Sequence, residues 1–275
     1  MHPLETGRFA LDGGAMFGVV PKNLWSKSFP ADEENRIPLA LRSLILKSDR
    51  QTILIDTGIG NKFDEKFGRI FKIDLIDYNI EKSLQAYQIS NEEITDVILT
   101  HLHFDHAGGT TILKDNQLQL TFPNAVHHIQ EEHWNWAVHP SEKDRASFLK
   151  NDFMLLEKSN LLNKLSGSTE IFPGVELLVM YGHTQAMQIV KISDKTKTAL
   201  FCADLIPTAS HIPLPWVMAY DNHPLTTMNE KRHLLPVAAE EGWILFFEHD
   251  PHLIASTVTK TEKGFIKDKT VIPVT

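Results

Sequence analysis

Cysteine is nearly absent from this chain: Cys202 is the one cysteine in 275 residues. No disulfide can form within the chain, so a reducing, cytoplasmic setting is the expectation. Long apolar runs are missing too. No stretch approaches the roughly 20 residues that a membrane helix needs. The start, Met1-His2-Pro3-Leu4-Glu5-Thr6-Gly7-Arg8, has no basic segment leading into an apolar core. Neither a signal peptide nor a membrane partner is therefore expected. An excess of positive charge is also lacking, since 27 Lys+Arg against 35 Asp+Glu leave a net charge of -8 at pH 7. A nonspecific nucleic-acid binder would carry a basic face, so nucleic acid is not an expected partner. Repeats, low-complexity segments and linker-like stretches are absent, and residues 1–275 read as a single domain.

What is present is an alternation of strands and helices. Hydrophobic residues make up 42% and charged residues 23%, an ordinary balance for a globular protein. Strand signals cover residues 39–47 and 52–56, with a turn at 48–51, and end in the glycine-rich loop Asp56-Thr57-Gly58-Ile59-Gly60. A helix is expected over 79–88, with Ile80, Leu84 and Tyr87 on one face. Ser90 and Glu93 have capping-box spacing before a short helical turn. Strands follow at 95–100 and 125–129, then a helical stretch with a break over 143–162. Further strands are expected at 175–180, 188–192, 198–203 and 243–248. A helix is expected over 225–241, with Thr227 and Glu230 at capping-box spacing and Pro236 kinking it. This pattern is that of an α/β layered domain with its chemistry on loops.

The chemistry is concentrated in the run His101-Leu102-His103-Phe104-Asp105-His106. It follows the apolar Val97-Ile98-Leu99-Thr100 and precedes Ala107-Gly108-Gly109, the context of a strand-to-helix turn. Imidazole and carboxylate together suit zinc and similar divalent ions. With no thiolate in the cluster, an open, water-bearing catalytic site is a better reading than a closed structural one. His183, Asp204 and His249 each stand just after an apolar strand candidate. Strands of one sheet can bring their ends to one edge, so distant positions can meet there. Asp56 either supports a metal ligand from behind or caps its strand end through an Asx turn. Cys202 reads as a core residue. His2, His127, His128, His133, His139 and His233 read as ordinary surface or half-buried residues, whereas His211, His223 and His252 lie near the site-forming segments.

Five motifs in order, Asp56-Thr57-Gly58, the histidine run, Gly182-His183-Thr184, Ala203-Asp204 and Glu248-His249-Asp250, resemble those of the metallo-β-lactamase-fold hydrolase superfamily. The resemblance covers about residues 39–253 and implies a four-layer αββα sandwich with an internal pseudo-two-fold relation and a two-metal cleft at one edge. Carried over position by position, His101, His103 and His183 would hold one ion. Asp105, His106 and His249 would hold the other, with Asp204 and a hydroxide bridging both. The implied cofactor is a pair of divalent ions, zinc first, with manganese, iron or cobalt as alternatives. Asp105 would take the nucleophile's proton and return it to the leaving group.

Within the superfamily the string His-Leu-His-Phe-Asp-His-Ala-Gly-Gly and the length look most like the lactonase and organophosphate-hydrolase branch. The expected partner is a small-molecule substrate and the expected reaction is hydrolysis of a lactone or related carboxylic ester. A phosphotriesterase or thioesterase is the alternative. A di-iron redox protein or a noncatalytic binding protein ranks below both. Lactonases of this type that act on acyl-homoserine lactones carry a tyrosine three residues after the bridging aspartate, and this chain has Pro207 there. Residues 13–25 and 207–224 are rich in apolar, aromatic, proline and glycine residues, and from them Phe17, Trp25, His211, Trp216 and Tyr220 are the candidate substrate contacts. Packing on the core, or a homodimer interface, is the competing role for these segments.

Overall fold

The computed structural model describes residues 1–271. The described residues form two compact units, one holding residues 1–9 and 40–166, the other residues 10–39 and 167–271.

The first unit holds residues 2–9 of β1 (His2–Asp12) and 40–47 of β2 (Arg36–Lys47), with β3 (Thr52–Ile55), β4 (Asp96–Ile98), the hairpin β5 (Thr111–Lys114) and β6 (Gln117–Leu120), then β7 (Val126–Gln130) and β8 (Leu162–Leu165). Its main sheet runs β1-β2-β3-β4-β7-β8, with the β5–β6 hairpin separate. β2 and β3 are antiparallel across the expected turn, and β3, β4, β7 and β8 pair in parallel. β3 and β4 are buried throughout, as continuous apolar runs in parallel strands should be. Leu54, Val97, Leu99 and Ile129 join Trp134 and Phe153 in the core of this unit. The expected helix forms as Ile80–Ala86, started by the Asn79 side chain accepting from Lys82 N, and the capping box at Ser90 and Glu93 is made. The expected helical stretch over 143–162 is instead a series of short turns, Arg145–Ser147, Lys150–Phe153 and Met154–Lys158, followed by β8. Asp144 explains part of this: its carboxylate takes Ser141 Oγ and Trp136 Nε1 and so holds a turn where a helix would have to run straight.

The second unit contains β9 (Thr169–Phe172), β10 (Val175–Met180), β11 (Met187–Ser193), β12 (Thr198–Phe201), β13 (Ile244–Phe246), β14 (Ala255–Thr261) and β15 (Gly264–Val271) in the order β15-β14-β13-β12-β11-β10-β9. β10 and β12 are each antiparallel to β11, and β12 is parallel to β13, so β10, β12 and β13 point the same way. The long helix Pro224–Glu240 starts on a proline and continues through Pro236. The capping box expected from Thr227 and Glu230 does not form. Glu230 reaches out of the helix to accept from Tyr181 N at 2.6 Å and Gly182 N at 3.3 Å, and burial raises its pKa. Gly182 has to be glycine, because a Cβ there would collide with the backbone and side chain of Thr227. No helix among the described residues is long and apolar enough to cross a membrane.

Candidate metal centre

In the first unit, parallel β3 and β4 align Ile55 with Ile98, so the residues that follow them leave the sheet at one edge. Asp56 comes directly after β3 with a φ of 55°, a left-handed conformation that aspartate tolerates better than most residues. Its Oδ1 accepts from Thr100 N at 2.7 Å, and its Oδ2 accepts from Thr100 Oγ1 at 2.6 Å and from His106 Nδ1 at 3.1 Å. The Thr100 hydroxyl has given its hydrogen to Asp56, so it can only accept from His101 Nδ1 at 3.0 Å. This network assigns the tautomers: His101 and His106 carry their protons on Nδ1 and leave Nε2 bare. His101 Nε2 lies 3.1 Å from His103 Nδ1, and His106 Nε2 lies 3.8 Å from Asp105 Oδ2. Gly109 brings the chain back over the Asp56 loop, where a Cβ would strike Thr57 O, while Thr57 N bonds His106 O at 2.8 Å.

Three histidines read as surface or half-buried are buried instead. His127 and His128 lie in β7 between two strands. His133 accepts from Leu102 N at 2.8 Å and so holds the backbone in the middle of the histidine run. One apolar strand pattern cannot distinguish an outward from an inward imidazole, and here the parallel sheet covers both faces.

In the second unit the common direction of β10, β12 and β13 brings His183, Asp204 and His249 to one edge. His183 Nε2 lies 3.2 Å from Asp204 Oδ2, and His249 Nε2 lies 3.1 Å from Asp204 Oδ1. Each oxygen of one carboxylate therefore faces a different imidazole. His183 Nδ1 bonds Asp221 Oδ1 at 3.0 Å, which directs Nε2 at Asp204, and Asp221 Oδ2 accepts from Met218 N at 3.2 Å. Asp221 was not among the expected site residues. The signal available for it was general: a metal-bound histidine needs a carboxylate or carbonyl behind it.

Within each unit, pairs of these donors stand at the spacing of ligands on a divalent cation. Tetrahedral ligands about 2.1 Å from zinc lie about 3.4 Å from one another. The observed separations of 3.1, 3.8, 3.2 and 3.1 Å bracket that edge. The histidines and aspartates involved are all buried, where such donors need a partner charge.

A model of the metallo-beta-lactamase superfamily matches residues 42–249. The chain belongs to this superfamily. An N-acyl homoserine lactonase of Bacillus cereus is 27% identical over 227 residues, which is 78% of this chain and 83% of the lactonase. A probable metal-dependent hydrolase from Staphylococcus aureus has a solved structure 31% identical in sequence, with a TM-score of 0.88 over 98% of this chain and 97% of its own. AidC, a dizinc quorum-quenching lactonase solved with a product, shares the fold at 22% identity and a TM-score of 0.82, over 99% and 94% of the two chains. Superfamily membership and these relatives support a metal-dependent hydrolase.

The residues expected to contact substrate in this metallo-beta-lactamase superfamily member divide by burial. Phe17 and Trp25 are buried and stacked on each other at 5.4 Å. His211 is buried against Phe17 at 4.7 Å; its Nδ1 bonds Thr208 Oγ1 and its Nε2 bonds Met16 O, both at 2.8 Å. Burial pushes the His211 pKa down to about 4, so the ring is neutral. Trp216 is half-buried and lines a pocket of about 430 Å³ with Phe29, Ser210, His252 and Lys267. Tyr220 is exposed on the same loop. Cys202 is buried at the end of β12, where burial raises its thiol pKa.

The first unit holds a pocket that sequence reasoning missed. Phe63, Phe67 and Phe104 line about 270 Å³, with the Phe67 ring edge-on to Phe104 at 5.0 Å. Phe104 stands between His103 and Asp105, so the pocket adjoins the histidine run. The helical spacing of Phe63, Phe67 and Phe71 was its only sequence signal. Lys62 and Asp152 form a buried pair 3.2 Å apart in the wall. Burial pushes Asp152 up to about 6 and lowers Lys62, each opposed by the other's charge.

Proposed function

We propose that the chain is a dinuclear-metal hydrolase that opens a lactone or a related carboxylic ester. The observation that carries this reading is the set of imidazole and carboxylate donors at ligand spacing, with Nδ1 of His101, His106 and His183 committed to Thr100, Asp56 and Asp221. His101, His103 and His183 would hold one ion, Asp105, His106 and His249 the other, and Asp204 would bridge them. Such a pair, zinc by preference, lowers the pKa of a shared water and polarises the scissile carbonyl. Asp56 and Asp221 keep the imidazoles in the ligand tautomer. Asp105 would accept the proton of the attacking water and return it to the leaving oxygen. The phenylalanine pocket, to which Phe104 of the histidine run contributes, suits an apolar acyl arm. The N-acyl homoserine lactonases among the relatives favour a lactone, and a single cysteine favours a cytoplasmic setting.

Pro207 favours a second reading. Where acyl-homoserine lactonases of this type carry a tyrosine, Pro207 has no hydroxyl to offer a lactone, which leaves room for a phosphotriester or thioester substrate. The test is proton release from a long-chain acyl-homoserine lactone by protein reconstituted with zinc or manganese. Turnover that disappears in Asp204→Ala, together with bound metal, is the expected result. No turnover with two ions bound would move the assignment to thioesters and phosphotriesters.

A further inference from the structure

Lys231 lies in the helix Pro224–Glu240 and is fully buried. An ammonium is costly to bury unless its donors are matched. Here Nζ donates to Pro213 O and Trp216 O at 2.9 Å and to Leu214 O at 3.4 Å. All three acceptors belong to one stretch, Pro213-Leu214-Pro215-Trp216. Two of its four residues are prolines, which have no N–H, so the stretch carries more acceptors than donors. A lysine presents three donors at a single point and corrects that shortage. Burial pulls the Lys231 pKa down to about 7, and the nearby Asp221 carboxylate pulls the other way.

The same loop supplies Trp216 to the 430 Å³ pocket and Asp221 to His183. Trp216 also packs edge-on against Phe17, at 5.7 Å. We propose that Lys231 is a positioning residue: its ammonium gathers the carbonyls of residues 213, 214 and 216, fixes the Trp216 wall of that pocket and thereby sets substrate selectivity. This rests on the proposed hydrolase function and on the expectation that residues 207–224 contact its substrate. Asp221 has its own bonds to His183 and Met218, so metal binding does not depend on Lys231.

Lys231→Met removes the donors and keeps the length of the side chain, while Lys231→Arg keeps a cation. In Lys231→Met, amides of residues 209–217 should exchange at least tenfold faster than in the wild type, with metal content unchanged. KM for the lactone should rise about fivefold or more while kcat stays within twofold, and Lys231→Arg should restore both loop protection and KM. Unchanged loop exchange, a rise spread evenly over the whole second unit, or an unchanged KM would each overturn the proposal. If Lys231→Met does not fold, wild-type protein labelled with 15N-lysine decides it at pH 6. A slowly exchanging ammonium with contacts to Trp216 supports the cage, and lysine ammonium groups that all exchange at solvent rates refute it. A wild type that turns over no ester or lactone would sink the functional reading, while the exchange and ammonium results would still judge Lys231.

Discussion

Two aspartates outside the ligand set orient three of the histidines, His101, His106 and His183. Asp221 holds His183, and Asp56 holds both Thr100 and His106. Carboxylates in this role typically contribute 10–100-fold in metal affinity. Asp221→Ala should therefore weaken zinc binding by about that factor in a competition titration with a chromogenic chelator. Asp56→Ala should weaken it further, because its loss also frees the Thr100 hydroxyl that fixes His101. Wild-type zinc affinity in both variants would refute the tautomer argument. His211 gives a prediction of a different kind. Its folded pKa of about 4 lies below the ordinary 6.5, because burial disfavours the imidazolium. The neutral ring's contribution is complete above pH 6.5 and is lost as pH falls through the window down to 4, by up to about 3 kcal/mol. Urea midpoints of wild type and His211→Gln should therefore converge between pH 6.5 and 4.5, and a gap that widens on acidification would contradict the assignment.

At the scale of elements, the turn at 56–60 and the turn at 106–109 are packed backbone to backbone. Thr57 N bonds His106 O, Gly109 N bonds Gly58 O at 2.9 Å, and no Cβ fits at Gly109. Gly109→Ala forces these turns apart and should cost about 1–3 kcal/mol by urea unfolding, with less bound metal. A stable variant with full metal content would show that the turns can separate freely. Strands were the most legible elements. β10 spans the six residues that its apolar run indicated, and β3 ends where Asp56 begins. Elements whose signals are shared with tertiary partners were misread. Thr227 and Glu230 have capping-box spacing, yet the Glu230 carboxylate bonds two amides 48 and 49 residues away. β14 and β15 were not anticipated, since β15 is largely exposed and polar and carries little apolar periodicity.

For the whole molecule, the proposed metal site predicts that stability depends on cations held by the buried imidazoles and carboxylates. A ligand about 1,000-fold above its Kd stabilises the folded state by about 4 kcal/mol per site. Removing metal with a chelator should lower the melting temperature by on the order of 10 °C. Zinc, manganese or cobalt should restore it, because histidine and carboxylate accept all three. A melting curve unmoved by chelation of fully loaded protein would mean that these clusters do not bind a structural charge. The sequence alone determined the donor types, their order and their positions at strand ends, because both the histidine run and the apolar runs before His183, Asp204 and His249 are local patterns. The expectation that 13–25 and 207–224 differ from the periodic core was also legible, through their prolines, glycines and aromatics. Only the tertiary structure decided which of those aromatics are buried, where the phenylalanine pocket lies and which nitrogen each histidine leaves bare. The reason is physical: a tautomer is set by the partner of the opposite nitrogen, and Asp221 stands 38 residues from His183 while Asp56 stands 50 from His106.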